Sequence, residues 1–144
     1  MLHLPTSGKV FPVCGLWLVA LGVYFMLLRP ALLPEDPRCI GLSLEALRSA
    51  VPGLERWLGY VFNVMGGFII AAGVMAALSG LATGRRARTQ HPGCLAVVGA
   101  IGVATMSTTN FLLQSDFRWL LLAAVALWLF GLVCCWFERR VNAL

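Results

Sequence analysis

The chain has 144 residues, 60% of them hydrophobic and 12% charged, with a formal net charge of +5 and a mean hydropathy of +0.86. Soluble domains average about 45–50% apolar and about 25% charged residues. A water-soluble globule is therefore excluded, as are a disordered tail and a secreted disulfide scaffold. No long stretch is both polar and basic, so the positive charge is not a nucleic-acid footprint.

A membrane-spanning helix needs roughly 20 mostly apolar residues to cross about 30 Å of hydrocarbon. The first segment of that kind runs from about Val10 to Leu28 and is closed by Arg29-Pro30. Lys9 precedes it, but the run is long for a signal peptide and no small-x-small cleavage pattern follows, so an uncleaved span is expected. Residues 29–56 form the one substantial extramembrane segment. Its opening, Pro34-Glu35-Asp36-Pro37-Arg38, reads as a solvated turn, with calcium binding or headgroup contact as alternatives. After Gly41 a short helix is expected: Ser43 is the N-cap, Glu45 lies in the first turn and Pro52-Gly53 stops it. Leu44, Leu47 and Val51 share one face of that helix, which suits a membrane surface or a lid over the bundle.

The second span is expected from about Trp57 to Ala82, before the basic run Arg85-Arg86-Ala87-Arg88. The third follows His91-Pro92 and reaches from about residue 93 to Leu113. The fourth runs from about Trp119 to Phe137 and ends against Glu138-Arg139-Arg140. The expected fold is all-α: a single integral membrane domain, residues 1–144, built as a membrane-spanning four-helix bundle with a short amphipathic helix in the first loop. Lys and Arg in short flanks set orientation. One side holds Lys9, Arg85, Arg86, Arg88, Arg139 and Arg140, with Glu138 its only acid. The other holds Arg29, Arg38, Arg48, Arg56 and Arg118, matched by Glu35, Asp36, Glu45, Glu55 and Asp116. The tight triple-arginine turn places both termini in the cytoplasm.

In the second span Gly59, Gly66, Gly73 and Gly80 recur every seven residues, interleaved with Asn63, Ile70, Ala77 and Gly84. Steps of four and three trace one seam of left-handed helix packing. Small residues let membrane helices approach closely, so the seam reads as tight packing, with a sliding helix as the alternative. In the third span Ala96, Gly99, Val103, Met106, Asn110 and Gln114 share a face, with Ser107 beside Asn110. The segment Thr105–Asn110 makes a poor lipid-facing surface and is expected inside the bundle. Asn63 and Asn110 have similar depth, so they either bond to each other or line an outward-facing polar pocket with Ser107 and Gln114. Glu35, Asp36, Arg38, Asp116 and Arg118 would then stand at its mouth.

Several chemistries lack their residues. No ionisable group falls within a span, as a proton relay or voltage sensor needs. His3 and His91 lie at edges, so no haem ligand pair is available. There is no phosphate loop, H-E-x-x-H or G-x-S-x-G. Cys14, Cys94, Cys134 and Cys135 fall near one end of their spans and Cys39 stands apart. Without a C-x-x-C they read as small apolar packers, a metal or persulfide site being the alternative. No cofactor or metal is expected.

Chain length, four spans and the Leu33-Pro34-Glu35-Asp36 to Arg38 turn make the chain resemble the small bacterial four-helix membrane proteins grouped as DoxX-like. That resemblance implies a link to quinol oxidase or thiosulfate-related complexes. Three functions stay open: a non-catalytic accessory or scaffold subunit, a binder or carrier of a lipid-like or small uncharged ligand, and a membrane redox component. The expected partners are the lipid bilayer of a bacterial inner membrane and a larger membrane complex or a second copy.

Overall fold

The computed structural model describes residues 6–83 and 92–141. Regular structure among the described residues is helical throughout. Helix α1 (Thr6–Val23) widens into a π-helical turn at Tyr24–Leu28. Two short helices follow, α2 (Glu35–Ile40) and α3 (Leu44–Ala50), and then the long α4 (Leu54–Thr83). The third span is composite: α5 (Pro92–Val98), a π-helical stretch at Gly99–Ala104, and α6 (Thr105–Leu112). Helix α7 (Arg118–Val141) completes the described chain.

Four stretches are long and apolar enough to cross a membrane: Thr6–Leu28, Leu54–Ala82, Gly93–Leu112 and Arg118–Val141. They are the four expected spans, and three of them extend further than expected. Thr6, Leu54 and Val141 all lie in helix beyond the apolar runs, because a helix satisfies its own backbone into the interfacial layer. Exposed Trp57, Tyr60 and Trp119 mark one end of the bundle and exposed Trp136 and Phe137 the other, where amphipathic and aromatic rings anchor membrane helices.

The spans do not share one core equally. Helix α1 lies in the middle, packed on α4 to one side and α7 to the other, and α7 in turn carries the third span. The share of each apolar stretch that is buried follows this order, 33% for the first span against 17% for the second. The core joins Phe11, Cys14 and Leu18 of α1 to Ala76 of α4, Leu95 and Val103 of the third span, and Trp128 and Cys135 of α7.

The first loop is more ordered than a solvated turn. The Asp36 carboxylate accepts the Leu33 N–H at 2.7 Å, which closes the turn that leads into α2. Gly41 ends α2 at φ 78°, its N–H on the Pro37 carbonyl, a left-handed position where glycine has no Cβ penalty. Helix α3 begins where expected, with the Ser43 hydroxyl accepting the Ala46 N–H at 3.1 Å. Only Leu47 of its apolar face is buried; Leu44 and Val51 stay exposed.

Candidate functional site

The glycine seam of α4 meets α1, and α1 answers with glycines of its own. Gly15 and Gly22 are also seven residues apart. A Cβ placed on Gly73 would fall 2.6 Å from the Gly15 carbonyl oxygen, and one on Gly15 would strike the Gly73 carbonyl. Gly66 and Gly22 oppose each other the same way, each Cβ position 2.6 Å from the other's carbonyl oxygen. Gly80 faces the ring of Pro12. Ile70 and Ala77 complete the seam against Gly22 and Gly15. Gly59 does not belong to it: a Cβ there would meet nothing within 4 Å. The close approach reaches Met26 of the π-helical turn, against which Gly66 also packs. Gly84 and the arginines after it lie outside the described residues.

The opposite side of the core is held by a side chain. A Cβ on Gly99 would run into the indole of Trp128, so this glycine is the notch that seats the ring. The indole N–H donates to the Leu95 carbonyl at 3.1 Å, a partner it needs away from water. Phe11 packs edge-on against the same ring at a centroid distance of 5.6 Å. Beside it, Cys14, Leu18, Val103, Leu127 and Trp128 border a narrow apolar cleft of about 10 Å³, at the lower limit for one water and without the polar groups to hold it.

The expected four-residue polar pocket does not assemble. Asn63 is exposed on α4 and makes no hydrogen bond among the described residues. Asn110 is half-buried, and its amide donates to the Met106 carbonyl of its own helix at 2.9 Å. The two asparagines are not paired, because the substantial packing of α4 is confined to α1 and its π-helical turn. Gln114 is exposed and accepts from Arg118 at 2.7 Å. Ser107 alone is buried, 5% exposed, and its hydroxyl has no partner among the described residues. The segment Thr105–Asn110 faces outward more than inward. Thr105, Thr108 and Thr109 are exposed, with hydroxyls donating to the carbonyls of Ala100, Ala104 and Thr105. A threonine satisfied within its helix turns its methyl to the surroundings, so such a segment tolerates lipid.

Several of the residues expected at the pocket mouth instead tie together the helix ends beside the first loop. Glu35 is 5% exposed, and its carboxylate accepts the Ser115 hydroxyl at 2.9 Å. This joins the first loop to the turn between the third and fourth spans. Asp36 pairs with Arg29 at 3.6 Å, and that guanidinium lies 3.8 Å over the Phe62 ring. The π-helical turn sets this geometry, with Arg29 N–H bonded five residues back to Tyr24 at 2.8 Å. Arg38 and Asp116 are exposed, and Arg38 donates to the Pro34 carbonyl of its own turn.

At the other end the first and last helices are clamped. The Glu138 carboxylate accepts both the Ser7 N–H, at 3.1 Å, and the Ser7 hydroxyl. A carboxylate satisfies the free N–H groups of a helix start and complements its dipole. Neither clamp was legible as a pair in the sequence, since 131 residues separate Ser7 from Glu138 and 80 separate Glu35 from Ser115. Among the described residues no three of the thiols come together as a metal site would need: Cys14 and Cys135 belong to the core, Cys134 is half-buried and Cys94 is exposed.

These features define an all-α, multi-pass membrane protein. No protein-family model, curated protein or solved structure matches the chain. The DoxX-like resemblance thus rests on chain length, span number and the outer turn alone.

Proposed function

We propose that the chain is a non-catalytic accessory or scaffold subunit of a larger assembly in a bacterial inner membrane, with both termini cytoplasmic. The observation that carries this is the division of labour among its polar groups. The carboxylates of Glu35 and Glu138 hold helix ends and loops together, while the surfaces of the second and third spans that face away from the bundle stay uncovered and carry small or polar residues. Asn63, Gly59 and Gly67 are open on α4, and Thr105, Thr108 and Thr109 on the third span. Such surfaces suit helix–helix contact, since small and polar residues mark membrane helix interfaces. Orientation follows the cation distribution along the chain.

A second reading, a binder of a small uncharged ligand, is favoured by one observation: the buried Ser107 hydroxyl lacks a partner among the described residues. Native gel electrophoresis of gently solubilised host membranes tests the subunit reading. The chain should migrate in a complex of fixed composition, well above the 15.6 kDa of one chain. Migration as a lone chain in its micelle, with no other membrane complex altered by its deletion, would refute it.

A further inference from the structure

We propose that the end of the bundle bearing Lys9, Arg139 and Arg140 is a binding surface for anionic phospholipid headgroups. The contact between Ser7 and Glu138 brings the first turns of α1 to the last turns of α7, so these three cations share one end of the molecule. All three are exposed. None is ion-paired among the described residues, where the pairs are Arg29 with Asp36 and Arg48 with Glu55, both at the opposite end. The one acid of the cationic end, Glu138, has its carboxylate occupied by the start of α1. That end therefore presents three cations to its surroundings with their neighbouring acid already engaged.

The opposite end differs in kind. Its five arginines, Arg29, Arg38, Arg48, Arg56 and Arg118, are matched in number by five acids, Glu35, Asp36, Glu45, Glu55 and Asp116, and Arg29 and Arg48 are ion-paired. Arg140 also fixes the depth of the surface. Its guanidinium lies 3.8 Å over the ring of exposed Trp136, and tryptophans at a span end sit at headgroup level. A cation held there meets lipid phosphate. Each such cation near an anionic leaflet is worth roughly fivefold in association.

Spin-label resonance on the purified full chain in phosphatidylcholine bilayers tests this, with labelled phosphatidylglycerol compared against labelled phosphatidylcholine. The chain should prefer phosphatidylglycerol several-fold, with the preference falling as salt rises. Lys9→Gln, Arg139→Gln and Arg140→Gln combined should remove at least half of it. Arg139→Lys with Arg140→Lys should retain it, which separates charge from folding. Arg38→Gln with Arg56→Gln, at the other end, should leave it unchanged. Absence of the preference, its survival in the triple variant, its loss in the lysine pair or its loss in the Arg38 and Arg56 pair would each overturn the proposal.

Discussion

The two halves of this bundle are held by different means. Between α1 and α4 the contact is distributed: Gly15 with Gly73 and Gly22 with Gly66, one heptad apart, bring backbone against backbone. Between α7 and the third span, which meet along all three segments of that span, the tightest fit is made by a side chain: the Trp128 ring sits in the Gly99 notch with its N–H on the Leu95 carbonyl. Repeated small residues fix register by backbone against backbone, whereas one large side chain fixes it by fitting a ring into a notch. The notch glycine opens the π-helical stretch Gly99–Ala104, an irregularity of the kind that is frequent at functional sites.

The largest expected effect separates the seam from the rest of α4. Gly73→Leu places a side chain where a Cβ alone would be 2.6 Å from the Gly15 carbonyl oxygen. Overpacking costs about 1–3 kcal/mol, and a backbone neighbour with nowhere to move puts this substitution near the upper end. Gly67→Leu, six residues away on an open surface where a Cβ meets nothing within 4 Å, should stay within about 0.5 kcal/mol. Thermal unfolding of both variants in detergent, followed by near-ultraviolet dichroism, checks this. Equal losses would mean that the seam is no tighter than the exposed face.

The difference between the halves also explains what could be read in advance. A heptad of glycines is a repeated signal, and Gly66, Gly73 and Gly80 meet the neighbouring helix as their spacing implies. Gly15 and Gly22 carry the same spacing in α1 and mark the answering face, a signal that was present but unread. Gly59 fits the repeat yet meets no neighbour, since it lies beyond the contact of Gly66 with Met26, and no periodicity reports where a partner helix ends. Asn63 and Asn110 failed for a related reason. Matching depth does not make two helices neighbours, and α4 packs on α1 instead of on the third span. The clamps at Glu35–Ser115 and Ser7–Glu138 are single long-range contacts with no local pattern to announce them.

The ring in its notch should be sensitive to the smallest change at its glycine. Gly99→Ala forces the indole of Trp128 out of its notch and costs about 2 kcal/mol, as overpacking and a strained buried hydrogen bond together. Trp128→Phe keeps much of the ring but leaves the Leu95 carbonyl without its extra donor, for about 1 kcal/mol. The combined variant should lose less than the sum, since both changes act on the same indole edge. Strict additivity in a double-mutant cycle would break the account of Gly99 as a notch for that ring.

On the same face as Val103, one turn along, Ser107 tests whether this half of the bundle is filled or occupied. A buried hydroxyl without a partner destabilises by about 1 kcal/mol or more. Ser107→Ala is accordingly expected to raise the unfolding midpoint, by an amount corresponding to about 1 kcal/mol. A fall instead would show that the hydroxyl holds something in the protein as purified, and would favour the ligand-binding reading. Lipid extraction before the measurement would then remove the difference between the variant and the parent, because stabilisation by a bound molecule follows mass action.

The smallest effect concerns how the third span hands over to the fourth. Gln114 has φ 53°, a left-handed backbone that side chains rarely adopt. It closes a Schellman turn, with the Ser115 N–H on the Asn110 carbonyl at 3.0 Å and its own N–H on the Phe111 carbonyl at 3.1 Å. Glycine is the residue that such a position favours, and a side chain there costs roughly 1–2 kcal/mol. Gln114→Gly recovers that strain but loosens the unfolded chain and gives up the exposed bond from Arg118 at 2.7 Å. The net expectation is a gain of about 0.5 kcal/mol, read as a small rise in the unfolding midpoint. Gln114→Ala, which loses the Arg118 bond and keeps the strain, should show no gain. If it matched the glycine variant, the left-handed backbone would not be the source of the effect, and the turn would be held by its two hydrogen bonds without strain in Gln114.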